Sequence, residues 1–445
     1  MEVIAPPARR VLERLERAGY EAYLVGGCVR DLLLDRRPGD WDITTAARPE
    51  EVLSLFAPQA AATGLKHGTV TVFEGAASFE VTTFRLDGTY ADHRHPDAVT
   101  FSDSLAEDLK RRDFTVNAMA MDQAGEITDL FGGREDLARG VLRCVGRPEQ
   151  RLEEDALRIM RALRFSSVLG FTLAPETADA VFQGKSLLRE VAVERVREEL
   201  LKLLCGRCVV PALLQYAEVL GVVLPEILPA VGCDQRNIHH CYDVWEHIAR
   251  TVRFVPPNAV LRMTMLLHDL GKPGTMTVDE DGTGHFRGHA DVSCTLGKTI
   301  LERLHFDKES TRRILTLVQW HDVPIEQTQK AMRRLLHKLG EQGVRDLLQV
   351  KRADNLAQAS AYHGRQGQID TLEALLQQAL EQDACFTLRQ LAVNGRDLLE
   401  QGYRGREVGA ALQFMLDAVI DGTLPNEKQT LLKVLSTEFA SNATE

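Results

Sequence analysis

Strand-forming sequence is confined to about the first 130 residues of this 445-residue chain, and from about residue 150 onward apolar residues recur at helical spacing. Such a division, with aromatic residues at only 6%, disfavours a sandwich or barrel. It predicts an α+β chain: a small mixed-sheet head followed by all-α segments. In the head, Val11, Leu12, Leu15 and Ala18 before Gly19 predict an amphipathic helix stopped by glycine. Tyr23-Leu24-Val25 predicts a strand that turns at Gly26-Gly27 into a helix running to Leu34. Trp41 to Thr44, Gly68 to Phe73 and Phe79 to Phe84 alternate or carry β-branched residues and supply further strands. Soft boundaries fall near residues 140, 235 and 365.

The composition, 44% hydrophobic and 26% charged, is that of an ordinary globular protein. A net charge of −11 argues against a polyanion binder coated in positive charge and leaves room for a local basic stripe. No apolar run approaches the roughly eighteen residues of a membrane span, and the opening Met-Glu-Val-Ile-Ala-Pro-Pro lacks the order of a signal peptide, so a cytoplasmic location is expected. The eight cysteines show no disulfide framework. Cys205-x-x-Cys208 adjoins the apolar run Leu200 to Leu204 and is read as part of a helix, a pair of buried thiols rather than a redox or zinc pair.

Asp40-x-Asp42 places both carboxylates on one face if the segment is extended, where they can hold one hard cation. Two Asp beside a turn more often cap or solvate it, but the context here is unusual. Gly26-Gly27 permits close approach of backbone N–H groups to a phosphate, Arg30 offers a charged fork, and Glu80 sits on a predicted strand as a third carboxylate. Three such groups suit a two-metal site for in-line displacement at phosphorus. Lys110-Arg111-Arg112-Asp113 then precedes Phe114-Thr-Val-Asn117, a run that in isolation reads as a solvated helix start.

Val25-Gly-Gly-x-Val-Arg-Asp31, Asp40-x-Asp42, Arg111-Arg112-Asp113-Phe-Thr-Val-Asn117 and Glu154-Asp155-x-x-Arg158 occur in the order and spacing of the bacterial class II tRNA nucleotidyltransferases. The chain resembles these CCA-adding enzymes and their poly(A) polymerase relatives over essentially its whole length. The resemblance implies a nucleotidyltransferase head (1–139), a helical neck and RNA-binding body (140–235), an HD segment (236–365) and a helical tRNA-binding tail (366–445). It further implies Mg²⁺ held by Asp40 and Asp42 with Glu80 as third carboxylate, Gly27 and Arg30 at the triphosphate, and Arg112 with Asp113 at the sugar and phosphates. The substrates it implies are tRNA, CTP and ATP, with no membrane and no obligatory protein partner.

Asp155 and Arg158, three apart on a predicted neck helix from Leu152 to Phe165, would share a face and set an acceptor beside a donor. Cytosine and adenine each show an amino donor beside a ring-nitrogen acceptor, so such a pair accepts CTP and ATP and rejects UTP and GTP. An exposed salt bridge on a helix is the bland alternative. Arg161 and Arg164 continue the stripe and, by resemblance, also contact the nucleotide. Asp87 to Pro96 corresponds to the family's flexible loop, whose presence favours full CCA addition over addition of C alone.

His247, His268-Asp269, His289 and His321 lie in order in the helical region, with Leu266-Leu267-His268-Asp269-Leu270-Gly271-Lys272 the most distinctive stretch. This resembles the HD metal-dependent phosphohydrolases, which implies a divalent metal (Mn²⁺, Ni²⁺ or Mg²⁺) with Asp354 as last ligand, and a phosphatase or cyclic phosphodiesterase activity. A single helical His is usually structural; an ordered set is not. In the tail, Gly402-Tyr-Arg-Gly405 before a helical run resembles the segment with which these enzymes grip tRNA, and reads equally as a glycine-capped hairpin. Three rivals stay open: a poly(A)- or A-adding enzyme, an HD phosphohydrolase whose head only binds RNA, and a noncatalytic RNA-binding module.

Overall fold

The computed structural model describes residues 4–87, 99–382 and 385–435. It divides into two compact units, Met1–Leu228 and Pro229–Glu445. The first unit opens with α1 (Pro6–Arg17), β1 (Ala22–Val25), α2 (Gly27–Leu33), β2 (Asp42–Thr45) and α3 (Pro49–Phe56). It continues through β3 (Ala60–Gly64), β4 (Thr69–Glu74), β5 (Ala77–Thr83), β6 (Arg85–Asp87), β7 (Val99–Phe101), α4 (Leu105–Lys110), β8 (Met119–Met121), β9 (Ile127–Asp129) and α5 (Gly133–Arg139). After β10 (Val141–Leu142) come α6 (Pro148–Glu154), α7 (Leu157–Leu169), β11 (Thr172–Leu173), α8 (Pro175–Gly184), α9 (Val193–Leu204), α10 (Val209–Gln215) and α11 (Ala217–Leu220).

Seven strands form one sheet in the order β3-β4-β5-β2-β1-β8-β9. The strands foreseen from alternation all form. β3, β8 and β9 were not foreseen: Met119–Met121 is buried along its whole length and so shows no alternation. β2 and β5 run parallel with Asp42 opposite Glu80, while β1 pairs antiparallel with β2 so that Val25, the last residue before the glycine turn, faces Asp42. The register therefore delivers the turn and two carboxylates to one end of the sheet. Alternate residues Ile43, Val70, Val72, Val81 and Phe79 are buried beneath it.

The neck is not the continuous helix that periodicity predicts. α6 ends at Glu154, Asp155 is extended (φ −139°, ψ 102°), and α7 starts at Leu157. The Asp155 carboxylate accepts the Leu157 N–H at 3.1 Å, the local competition for backbone donors that makes Asp a helix interrupter. Similarly, Cys205 caps the end of α9 and Cys208 the start of α10, and both are half-buried free thiols rather than members of one buried helix.

The second unit holds α12 (Val244–Phe254), α13 (Ala259–Leu267), α14 (Lys272–Thr275), the ribbon β12 (Thr277–Val278) and β13 (Gly284–His285), α15 (His289–Arg303) and α16 (Lys308–Trp320). It ends with α17 (Gln329–Leu356), α18 (Arg365–Glu381), α19 (Gly395–Glu400), α20 (Arg406–Ile420) and α21 (Lys428–Val434). α13 and α17 each pack against α12 and α16 and against one another, and Val393, Leu398, Met415, Leu416 and Leu431 form a separate core in the tail. Among the described residues no helix is long and apolar enough to cross a membrane. The expected functional loop lies outside the described residues from residue 88 to its end at Pro96.

Candidate active site and a second carboxylate–histidine cluster

At the carboxylate end of the sheet, Gly26 adopts φ 74°, ψ −130°, a conformation open to glycine alone, and a Cβ there would stand 3.2 Å from Arg112 Nη1. The turn can thus approach both Arg112 and Asp42. Asp42 is half-buried; burial raises its carboxyl above the ordinary value, Arg112 opposes that, and Glu80 and Asp40 add to it. A desolvated carboxylate pressed by two like charges is an arrangement a divalent cation relieves. Asp40 lies in the bend before β2, not in the strand itself, and like Glu80 it is exposed to the cavity.

That cavity, of about 1070 Å³, brings together Asp40, Asp42, Glu80, Gly27, Arg30, Arg112, Asp113, Asp155, Arg158, Arg161 and Arg164, every residue expected in the head and neck site. Arg30 is buried and donates to Asn117 Oδ1 at 2.7 Å and to Asp31. Asp108, which sequence reading passed over, is a buried residue of α4 and holds both Arg111 (2.8 Å) and Arg112 (3.1 Å), so the arginine pair is anchored and not a solvated run. Asp113 is committed on both oxygens: Oδ1 accepts from Asn117 Nδ2 and the Phe114 N–H, and Oδ2 from Arg161 Nε and Nη2 at 2.8 and 2.5 Å. Burial pushes its carboxyl up, but Arg161 and Asn117 overcome this and hold it well below the usual carboxylate range.

The arginines of α7 each have a partner. Arg158 donates to Glu154 and to the carbonyls of Arg151 and Arg111, and Arg164 pairs with Glu199 at 3.0 Å. Burial and the neighbouring Arg161 lower Arg164 to about 10 against the pull of Glu199. Asp155 and Arg158 do not share one helix face as expected, since the helix breaks between them, nor do they form the salt bridge of the bland alternative: Arg158 pairs with Glu154, and Asp155 with Arg195 at 3.0 Å. Phe165 was also missed. Its ring has the guanidinium groups of Arg30, Arg161 and Arg164 at 5.3, 5.4 and 4.0 Å from its centroid, within cation–π range.

In the second unit the six residues expected of an HD site converge. His247 comes from α12, His268 and Asp269 follow α13, His289 starts α15, His321 follows α16 and Asp354 lies in α17. Potential ligand atoms of His247, His268, Asp269 and Asp354 lie within 4.8 Å of one another, as do those of Asp269, His289 and His321. Asp269 is shared: its Oδ2 stands 3.3 and 3.2 Å from His247 and His268, its Oδ1 3.3 and 3.6 Å from His289 and His321. The Nδ1 of His268, His289 and His321 donates to the carbonyl of Met265, Phe286 and Val318, at 2.6 to 2.8 Å, which turns Nε2 into the cluster, where it can serve a metal once it carries no proton. His268 Nε2 and Asp269 Oδ1 are buried without a hydrogen-bond partner.

A carboxylate end of a mixed sheet facing an arginine-lined cavity is the arrangement of the nucleotidyltransferase class, whose chemistry uses divalent metal. The Poly A polymerase head domain family matches residues 22–143, the RNA and SrmB-binding site of polymerase A matches 170–230, and tRNA nucleotidyltransferase domain 2 matches 290–435. A CCA-adding enzyme of Levilactobacillus brevis is 37% identical over 437 residues, 96% of this chain and 97% of that one. One of Lactobacillus helveticus is 57% identical over 199 residues, so there the chain spans about half (50%) of the relative's length. The crystal structure of Bacillus stearothermophilus CCA-adding enzyme in complex with CTP is similar at TM-score 0.76 and 34% identity, covering 99% of this chain and 100% of that one. The chain belongs to the CCA-adding enzyme family.

Proposed function

We propose that the protein adds C, C and A to the 3′ end of tRNA from CTP and ATP, without a nucleic-acid template and with release of pyrophosphate. The observation that carries this reading is one cavity whose lining holds three carboxylates, Asp40, Asp42 and Glu80, together with Asp155 and Arg158. Asp40, Asp42 and Glu80 would hold Mg²⁺, which when bound neutralises the pyrophosphate and acidifies the attacking hydroxyl. Arg30, Arg112 and the Gly26–Gly27 turn bind the triphosphate, and Asp113 orients Arg161 rather than standing free for the ribose. Asp155 accepts from the cytosine N4 or adenine N6 amino group while Arg158 donates to the neighbouring ring nitrogen. Uracil and guanine place a carbonyl where the amino group belongs, so the carboxylate repels them.

tRNA would be read by shape and phosphates, with basic groups on the cavity side and the acidic remainder limiting indiscriminate RNA binding. The finer division into head, neck and body, HD segment and tail, a cytoplasmic location and the absence of an obligatory protein partner belong to the same reading. Asp42→Ala tests it: the variant is expected to add nothing to tRNA lacking CCA while still binding CTP. Extension by the variant at the wild-type rate refutes the reading.

A second reading rests on the bridging Asp269. Four His Nε2 atoms, Asp269 and Asp354 would hold two divalent cations side by side at a cavity of about 300 Å³ whose lining includes Arg287 and Arg365, with buried Lys272, 2.7 Å from Asp269 Oδ2, giving up that ion pair when the metals bind. That chemistry fits hydrolysis of a small phosphoester. Elemental analysis of the purified protein is expected to give up to two metals per chain that are lost in Asp269→Ala, with CCA addition retained. Retention of the metals in Asp269→Ala refutes the site.

A further inference from the structure

The carboxylate assigned to read the base sits at a weak point of the backbone. Asp155 belongs to neither α6 nor α7, so no helix fixes its side chain. Among the described residues its oxygens accept one local N–H, that of Leu157, and meet Arg195: Nη1 at 3.3 Å from Oδ1 and Nη2 at 3.0 Å from Oδ2. These are two parallel contacts, the fork geometry that fixes a carboxylate in plane as well as in place. Arg195 lies in the first turn of α9, and one turn on the same helix presents Glu199, buried and paired with Arg164. α9, which packs along α7, therefore grips the nucleotide wall at two points with opposite charges.

We propose that Arg195 is a positioning residue for nucleotide choice: it holds the Asp155 carboxylate in the one orientation that accepts an amino group and excludes a carbonyl. This rests on the base-reading role of Asp155. A carboxylate accepts hydrogen bonds and donates none, so a fixed one penalises uracil O4 and guanine O6. A carboxylate tethered by a single N–H can swing toward water, and the penalty falls. Arg195 itself lines the cavity beside Asp155.

The test is single-nucleotide addition to tRNA lacking CCA by the full chain, comparing kcat/KM for CTP with that for UTP in wild type, Arg195→Ala, Arg195→Lys and Asp155→Ala. Arg195→Ala is expected to lower the CTP-to-UTP ratio about tenfold, chiefly through a raised KM for CTP, and Arg195→Lys to recover part of it because a point charge replaces the fork. A uniform loss of kcat on both nucleotides with an unchanged ratio, in both Arg195 variants, overturns the proposal. Asp155→Ala separates the two levels: if it lowers the ratio while Arg195→Ala does not, only the positioning role fails. If it leaves the ratio unchanged, the base-reading role fails and the proposal falls with it. Thermal melts of each variant identify any that do not fold, and Arg195→Lys, which keeps stem and charge, then decides the outcome.

Discussion

Replacing Arg161 by Met keeps the apolar stem of the side chain and removes only the guanidinium. In the native protein that group makes two charge-assisted bonds to a carboxylate that is 7% exposed. Removing one partner of a buried pair costs about 3–5 kcal/mol, and because the Arg161 side chain is 32% exposed the lower end applies, about 3 kcal/mol at pH 7. Its pH dependence has a definite sign. The depressed native pKa of Asp113 stabilises the fold above the unfolded value, near 4, and that contribution is lost as the pH falls below it. Without Arg161, burial dominates and raises the carboxyl, so the variant takes up a proton on folding and gains stability as the pH falls.

The gap between the two proteins is therefore expected to shrink to about half between pH 7 and pH 4. Equilibrium urea unfolding followed by circular dichroism at both pH values measures it. The double variant Arg161→Met with Asp113→Asn, which discards the stranded charge, should be about 1–2 kcal/mol more stable than Arg161→Met alone. A gap that is constant with pH, or a double variant less stable than the single, would refute this account of the pair.

Gly26→Ala should cost about 1–3 kcal/mol from its backbone conformation and slow CTP addition more than tenfold, as seen in melts and single-turnover rates, since the new Cβ meets Arg112. In alkylation at pH 8 with mass-spectrometric readout, Cys28, Cys144 and Cys294, whose thiols burial pushes to about 11, 12 and 11, are expected to react far more slowly than exposed Cys241.

Much of the site was legible because it depends on local pattern. Alternation in the Trp41 and Phe79 segments placed two strands, and the register of their parallel pairing in the fold sets Asp42 opposite Glu80. The order of the His residues with the His268-Asp269 doublet anticipated a cluster drawn from five helices or helix ends. What was not legible depends on contacts distant in sequence. A helical period across Leu152 to Phe165 gives no warning that Asp155 takes an N–H from Leu157 and a guanidinium from Arg195, forty residues on. Phe165 enters the sequence reading only as the end of the predicted neck helix, and the fold alone sets three guanidiniums around its ring. Asp108 looks like one charge among many until β2 and α4 bury it against Thr44.

The central claim is that one cavity both transfers a nucleotide and chooses it, and it is most directly tested by product length. Purified protein is incubated with tRNA lacking CCA, Mg²⁺, and CTP, ATP, both, UTP or GTP, and products are resolved at single-nucleotide steps. The account predicts two additions with CTP alone, a third only when ATP is also present, and none with UTP or GTP. Open-ended incorporation of ATP, or no extension at all, would contradict it.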